Sequence, residues 1–81
     1  MDMTNEYIQN IFTYHKPFGS QTERYEEIRN KAKELALVIQ RTCPPSREKS
    51  VAMTNLQQAI MWANASIAIN EKEDRQSQAV A

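Results

Sequence analysis

The sequence has few of the residues that build covalent cross-links, metal sites or low-complexity chains. A single cysteine among 81 residues excludes an internal disulfide and any zinc site made of several cysteines. One glycine and three prolines exclude collagen-like and Gly/Pro-rich classes. Ten basic side chains balance ten acidic ones, so no net charge favours DNA or an anionic membrane. We therefore expect no DNA partner and no membrane partner.

Long apolar runs are missing as well. No stretch approaches the roughly 18 consecutive apolar residues of a transmembrane helix. The first residues, MDMTNE, are acidic and polar, unlike the basic start and apolar core of a signal peptide. The expected setting is therefore a reducing cytosol.

Groupings of catalytic residues are nearly absent. His15 is the only histidine, and Cys43 stands directly before two prolines. A cysteine–histidine pair would also need an orienting group and an oxyanion site, and the sequence marks neither. No carboxylate spacing indicates a catalytic dyad or a metal cage. We expect a protein that is not an enzyme, with no catalytic residues, no metal and no cofactor.

What the sequence does contain is helical periodicity. Apolar residues recur at helical spacing over residues 3–14, 21–41 and 47–70, which predicts three helices. Ser20 and Glu23 match a capping box at the start of the second helix, and Ser46 is the expected N-cap of the third. The predicted fold is all-α, a short N-terminal helix plus a long antiparallel helical hairpin. It forms one domain over residues 1–70, followed by a polar tail, 71–81, that is expected to fray.

The third helix has the most informative pattern. No charged residue stands between Lys49 and Glu71, and the helix is apolar nearly all round. Such a helix is normally buried, yet this chain offers only one long and one short helix to cover it. We expect other copies of the chain to cover it, in a homo-oligomer of closed symmetry. The alternative is a monomeric three-helix bundle with an apolar surface.

A second pattern is the segment YHKPFGSQTERY, from Tyr14 to Tyr25. It combines tyrosines, cations, hydroxyls and the lone glycine at a predicted helix start. Such a start presents free N–H groups and partial positive charge, which suit a phosphate. A tyrosine ring can also stack on a nucleobase. The alternative is purely structural, with Ser20 as a cap, Gly19 as a turn and Tyr25 in the core.

Together with CPPSREKS (residues 43–50) and MTNLQQAIMWANASIAINE (residues 53–71), this segment resembles the anti-CBASS cyclic-oligonucleotide sponges of tailed bacteriophages. The resemblance covers about residues 7–71, and a related helical hairpin occurs in phage sponges that act against Thoeris defence. It implies an immune antagonist in the cytoplasm of the infected bacterial host. Such proteins bind cyclic di- and trinucleotide messengers such as cGAMP without cleaving them, which blocks effector activation. The family's proteins are compact homohexamers, with dinucleotides between protomers and trinucleotides at separate sites.

The predicted cyclic-nucleotide contacts combine both lines of reasoning. Tyrosines would stack on bases, cations would neutralise phosphates, and the helix start would supply backbone and hydroxyl groups. Arg47 opposes the dipole of the third helix, which favours an anionic partner. Asn64 is expected to bond across an interface rather than to touch a ligand. The predicted contact residues are Tyr7, Tyr14, Lys16, Gly19, Ser20, Thr22, Arg24, Arg29 and Arg47.

Two positions depart from the family pattern. Relatives often carry basic residues near the positions of Phe18 and Ile69, and both are apolar here. The departure makes trinucleotide binding a weaker expectation than dinucleotide binding. An alternative of another class is a phage helical adaptor that binds a host protein through the apolar third helix.

Overall fold

The structure is a computed structural model, and it describes residues 3–72. In this range the chain forms helices α1 (Asn5–Ile11), α2 (Gln21–Thr42) and α3 (Arg47–Asn70), and no strand. Helices α2 and α3 pack side by side as an antiparallel hairpin. The all-α prediction and the helical hairpin are therefore confirmed. Helix α3 has the predicted bounds, and α2 is one residue longer than predicted.

The closed end of the hairpin is a short turn that contains two prolines. The Ser46 hydroxyl donates to the Pro44 carbonyl oxygen (3.1 Å) and accepts from the Lys49 amide (3.1 Å). This second bond is the N-cap of α3 that the sequence predicted. Lys49 also extends its ammonium group to the Gln40 carbonyl oxygen at the end of α2 (3.0 Å). These bonds fix the reversal of the chain.

Helix α1 is shorter than the predicted range 3–14. Its N-cap is Thr4, whose hydroxyl accepts from the Tyr7 amide (3.0 Å), and its last helical residue is Ile11. Side chains from the following loop take the carbonyl groups that a further turn would need. The Thr13 hydroxyl donates to the Gln9 carbonyl oxygen, and His15 Nε2 donates to that of Asn10 (2.7 Å). The helix therefore ends early.

The start of α2 differs from the predicted capping box. The Ser20 side chain makes no capping hydrogen bond, and its hydroxyl accepts from Arg24 Nε (3.0 Å). Gln21, the first residue of α2, instead holds the preceding loop, because its Oε1 accepts from the Phe18 amide (3.1 Å). Gly19 adopts a left-handed backbone (φ +57°), the special conformation expected of the lone glycine. No other atom lies within 4 Å of where a Cβ would be.

The packing leaves the hairpin without a buried apolar core. Among residues 3–72 no hydrophobic side chain is fully buried, and the polar Gln21 is 2% exposed. On α3, Trp62 is 75% exposed and Met61 is 64% exposed. One protomer therefore leaves part of the apolar surface of α3 exposed, which is the condition from which the sequence predicts an oligomer. The homo-oligomer itself stays a prediction.

The end of α3 corrects one prediction about the tail. Glu71 was placed in the fraying segment, but its carboxylate is held by Arg24 and Gln21. The rest of that predicted segment, 73–81, lies outside the described residues. In the part of the chain that is described, no helix combines the length and hydropathy needed to cross a bilayer.

Candidate ligand-binding site

The end of the hairpin opposite its turn carries most of the candidate residues. We call it the loop end, meaning α1, residues 12–20, the start of α2 and the end of α3. Helix α1 is attached there by the Asn10 amide group, which donates to the Ile69 carbonyl oxygen (2.9 Å). This bond joins residues 59 positions apart in the chain. It brings the predicted stacking residue Tyr7 beside α3.

Tyr7 lines two hollows at the loop end. A polar groove of about 500 Å³ is lined by Glu6, Tyr7, Gln9, Asn10, Thr13 and Lys72. An apolar hollow of about 210 Å³ is lined by Tyr7, Trp62, Ala65, Ser66, Ile69 and Asn70. The groove has the size of a small-molecule site. The aromatic ring, the amides and Lys72 there could hold a nucleobase and a phosphate, and the Glu6 carboxylate is the group in the lining that opposes a phosphate.

Tyr14 and Lys16 occupy the exposed loop. Tyr14 is 81% exposed and lines neither hollow beside Tyr7. Lys16 is also exposed, and it makes no ion pair with another residue of the described range. Gly19, Ser20 and Thr22 are exposed as well, at the start of α2. The structure therefore places these five predicted contacts at the loop end but outside the Tyr7 groove.

Arg24 is engaged within the protomer. Its Nη1 and Nη2 donate to the two carboxylate oxygens of Glu71, each at 2.6 Å. Gln21 Nε2 donates to the same carboxylate (3.1 Å). These hydrogen bonds, from Arg24 first and then Gln21, lower the pKa of Glu71 to about 2. The bond to Glu71 likewise raises the pKa of Arg24. A phosphate could bind the Arg24 guanidinium in this way only by replacing the Glu71 carboxylate.

Arg29 lies farther along the hairpin, in a hollow between α2 and α3. This hollow has a volume of about 300 Å³ and is lined by Tyr25, Arg29, Asn64, Ala65 and Ala68. Tyr25, a predicted core residue, is half-buried there. Asn64 Oδ1 is buried and has no hydrogen-bond partner among the residues that the structure describes. The sequence did not predict that Arg29 and Asn64 would share a hollow.

Arg47 is far from the other predicted contacts in the same protomer. It is the first residue of α3, at the turn of the hairpin. A helix of 24 residues is about 36 Å long, so its two ends cannot serve one small ligand. A shared site would need Arg47 from another copy.

Sequence reasoning predicted one of the six groove residues, Tyr7. The other five are Glu6, Gln9, Asn10, Thr13 and Lys72. Lys72 stands in the segment that is predicted to fray, and the packing of α1 has no signal in the sequence. The available signal is a cation shortly after the long charge-free stretch 50–70. No local pattern reveals that α1 packs beside the end of α3.

Metal chemistry has no visible support in the described chain. Among residues 3–72 no group of three or more His, Cys, Asp or Glu side chains is placed to hold an ion. Cys43 is a free, half-buried thiol beside the turn of the hairpin, whereas His15 lies at the loop end. The two side chains therefore do not form a pair.

The fold defines a small all-α protein built on a helical hairpin. The family model described as Acb2/Tad1, hairpin domain, matches residues 4–68. Because the match covers most of the 81 residues, the chain belongs to this family of anti-CBASS and anti-Thoeris sponges. The family is known for binding cyclic nucleotide signals, and the resemblance seen in the sequence is confirmed. Neither the curated proteins nor the solved structures gave a match.

Proposed function

We propose that this protein sequesters cyclic oligonucleotide second messengers without cleaving them. It would act as a phage-encoded immune antagonist in the cytoplasm of the infected bacterial host, and depletion of the messenger would block activation of CBASS effectors. Family membership over residues 4–68 carries the proposal. The Tyr7 groove supports it, since its volume and lining suit a base and a phosphate.

Self-association belongs to the same proposal. A cyclic dinucleotide has two bases and two phosphates, so two copies of one site can hold it from both sides. The exposed Met61 and Trp62 side chains on α3 provide an apolar surface that a second copy would cover. We propose a homohexamer, the assembly that the family resemblance implies.

Among the possible messengers we propose cyclic dinucleotides, such as cGAMP, as the principal ligands. The family resemblance implies cations near the positions of Phe18 and Ile69, and both are half-buried apolar residues here. A trinucleotide has a third phosphate to neutralise, and these two positions supply no charge for it. Trinucleotide binding is therefore the weaker activity of the two.

Calorimetry with cGAMP tests the proposal. We expect sub-micromolar affinity, and chromatography should recover the ligand unchanged. A linear dinucleotide of the same bases is the control and should bind more weakly, because it loses more conformational freedom on binding. A cleaved ligand, or no binding of any cyclic di- or trinucleotide, would refute the proposal.

A second candidate function rests on one surface of the hairpin. An apolar groove of about 540 Å³ lies between α2 and α3, with Ala32, Ala36, Met53, Leu56 and Ile60 in its lining. A helical adaptor would use such a groove to bind a host protein. The mass in solution separates the two proposals. A 9.4 kDa particle that binds no cyclic nucleotide would favour the adaptor.

A further inference from the structure

We infer that Gln21, Arg24 and Glu71 form a clasp that positions the loop of residues 12–20 for ligand binding. The inference rests on the proposed function, because this loop carries the predicted contacts Tyr14 and Lys16. It assigns Arg24 a positioning role in place of the predicted phosphate contact. Glu71 lies beyond the family match, which ends at residue 68. The clasp therefore joins the matched hairpin to the segment that follows it.

The centre of the clasp is Gln21. Its side chain is 2% exposed, the lowest value among the described residues, and both ends of its amide are bonded. Oε1 accepts from the Phe18 amide (3.1 Å), and Nε2 donates to Glu71 Oε1 (3.1 Å). A buried amide with both ends satisfied defines one arrangement of its neighbours, because any other arrangement leaves polar groups unpaired. Gln21 thus connects the loop directly to the end of α3.

Arg24 and Glu71 complete the clasp. The guanidinium binds the Glu71 carboxylate through two parallel hydrogen bonds of 2.6 Å. Its third donor, Nε, reaches the Ser20 hydroxyl at the end of the loop (3.0 Å). Paired N–H groups on a carboxylate give geometric specificity beyond simple charge attraction. All three donor nitrogens of Arg24 are therefore used inside the protomer.

The loop has little else to hold it in place. Its two large apolar or aromatic side chains next to α1, Phe12 and Tyr14, are 82% and 81% exposed. Gly19 adds backbone freedom near the other end of the loop. The remaining attachments include the Thr13 and His15 hydrogen bonds to α1, the Gln21 amide bond to the Phe18 carbonyl oxygen (3.1 Å) and the half-buried Phe18 ring. Order in residues 16–20 therefore depends mainly on the clasp.

The decisive variant is Glu71→Gln, with Glu34→Gln as the matched control. Glu34 forms an exposed ion pair with Lys31 on α2 (3.7 Å), away from the loop. If only a tenth of the Glu71→Gln molecules keep the loop in its binding arrangement, affinity for cGAMP falls about ten-fold. Glu34→Gln should bind like the wild type. At neutral pH the thermal midpoint of Glu71→Gln should lie slightly below the wild-type value, and that of Glu34→Gln should equal it.

Hydrogen exchange without ligand tests the clasp independently of the messenger. We expect faster exchange in peptides covering residues 12–20 of Glu71→Gln, with unchanged protection in the middle of α2 and α3. Gln21→Met, which keeps the side-chain length but removes both amide bonds, should act in the same way. Unchanged exchange in these variants would overturn the clasp, whether or not the protein binds cyclic nucleotides.

One further outcome would overturn the positioning role of Arg24. If Glu71→Gln binds cGAMP more tightly than the wild type, Glu71 competes with the ligand for the Arg24 guanidinium. Arg24 would then be a phosphate contact after all. Failure of wild-type protein to bind any cyclic nucleotide would refute the proposed function, while the exchange experiment would still decide whether the clasp orders the loop.

Discussion

The loop end and the exposed surface of α3 differ in how their side chains are engaged. At the loop end, side-chain hydrogen bonds and the Arg24–Glu71 ion pair join segments that are far apart in the chain. Along α3, by contrast, the side chains are mostly apolar, and two of the largest stay exposed. The loop end is thus organised within one protomer, whereas apolar surface on α3 has no cover within it. Substitutions can therefore test the stability of the protomer and the proposed assembly separately.

The largest effect should come from a charge placed on α3. Trp62 is 75% exposed in the protomer, so Trp62→Glu should leave the hairpin folded. In a homo-oligomer the new carboxylate would be buried without a partner, at a cost of about 3–5 kcal/mol per site. We expect the assembly to dissociate to 9.4 kDa protomers, measured by sedimentation. Gln58→Glu, at an exposed polar position of the same helix, should leave the assembly intact.

The next largest effect is a loss of cGAMP affinity when one of the two candidate stacking residues is removed. Tyr7 lines the groove, while Tyr14 lies outside it. Loss of a stacked ring costs about 1–3 kcal/mol per base, so Tyr7→Ala should weaken cGAMP binding about 5- to 150-fold. Tyr7→Phe keeps the ring and should retain most of the affinity in calorimetry. A larger loss for Tyr14→Ala would move the stacking site to the loop.

A smaller effect, on the stability of the fold, is expected from removing the hydroxyl groups of the two serines that precede α2 and α3. Ser46 caps α3 through the Lys49 amide, whereas Ser20 makes no capping bond. Ser46→Ala should therefore destabilise the fold by about 1 kcal/mol, which lowers the thermal midpoint of a domain this size by about 4–8 °C. Ser20→Ala should lower it less, with both measured at one protein concentration. Equal shifts would mean that Ser20 caps its helix in solution.

The smallest effect is a pH dependence of the clasp. The pKa of Glu71 is about 2 in the folded chain, below its ordinary 4.5, so folding favours the ionised carboxylate. Its contribution to stability is present above pH 4.5 and is lost as the pH falls from 4.5 towards 2. Both partners are more than a third exposed, at 39% and 38%, and solvent weakens the interaction. Thermal midpoints of wild type and Glu71→Gln should therefore converge over this interval.

The helices could be predicted because their signals are local. Prolines at 44 and 45 and the serine after them fixed the turn of the hairpin, and the charge-free run defined α3. The capping box failed because the Ser20 hydroxyl bonds to Arg24, whose guanidinium is held by Glu71 just after α3. Side-chain contacts of this kind join distant segments, so no spacing rule reveals them. The Tyr7 groove was hidden for the same reason.

The backbone at Gly19 has a consequence for chemical synthesis of this chain. An L-residue is strained at φ +57° even though the position of its Cβ is not crowded, whereas a D-residue prefers positive φ. D-alanine at this position should therefore rigidify the unfolded chain without disturbing the native turn. Glycine is favoured at this position because φ is positive, and not because an L-type Cβ would lack space.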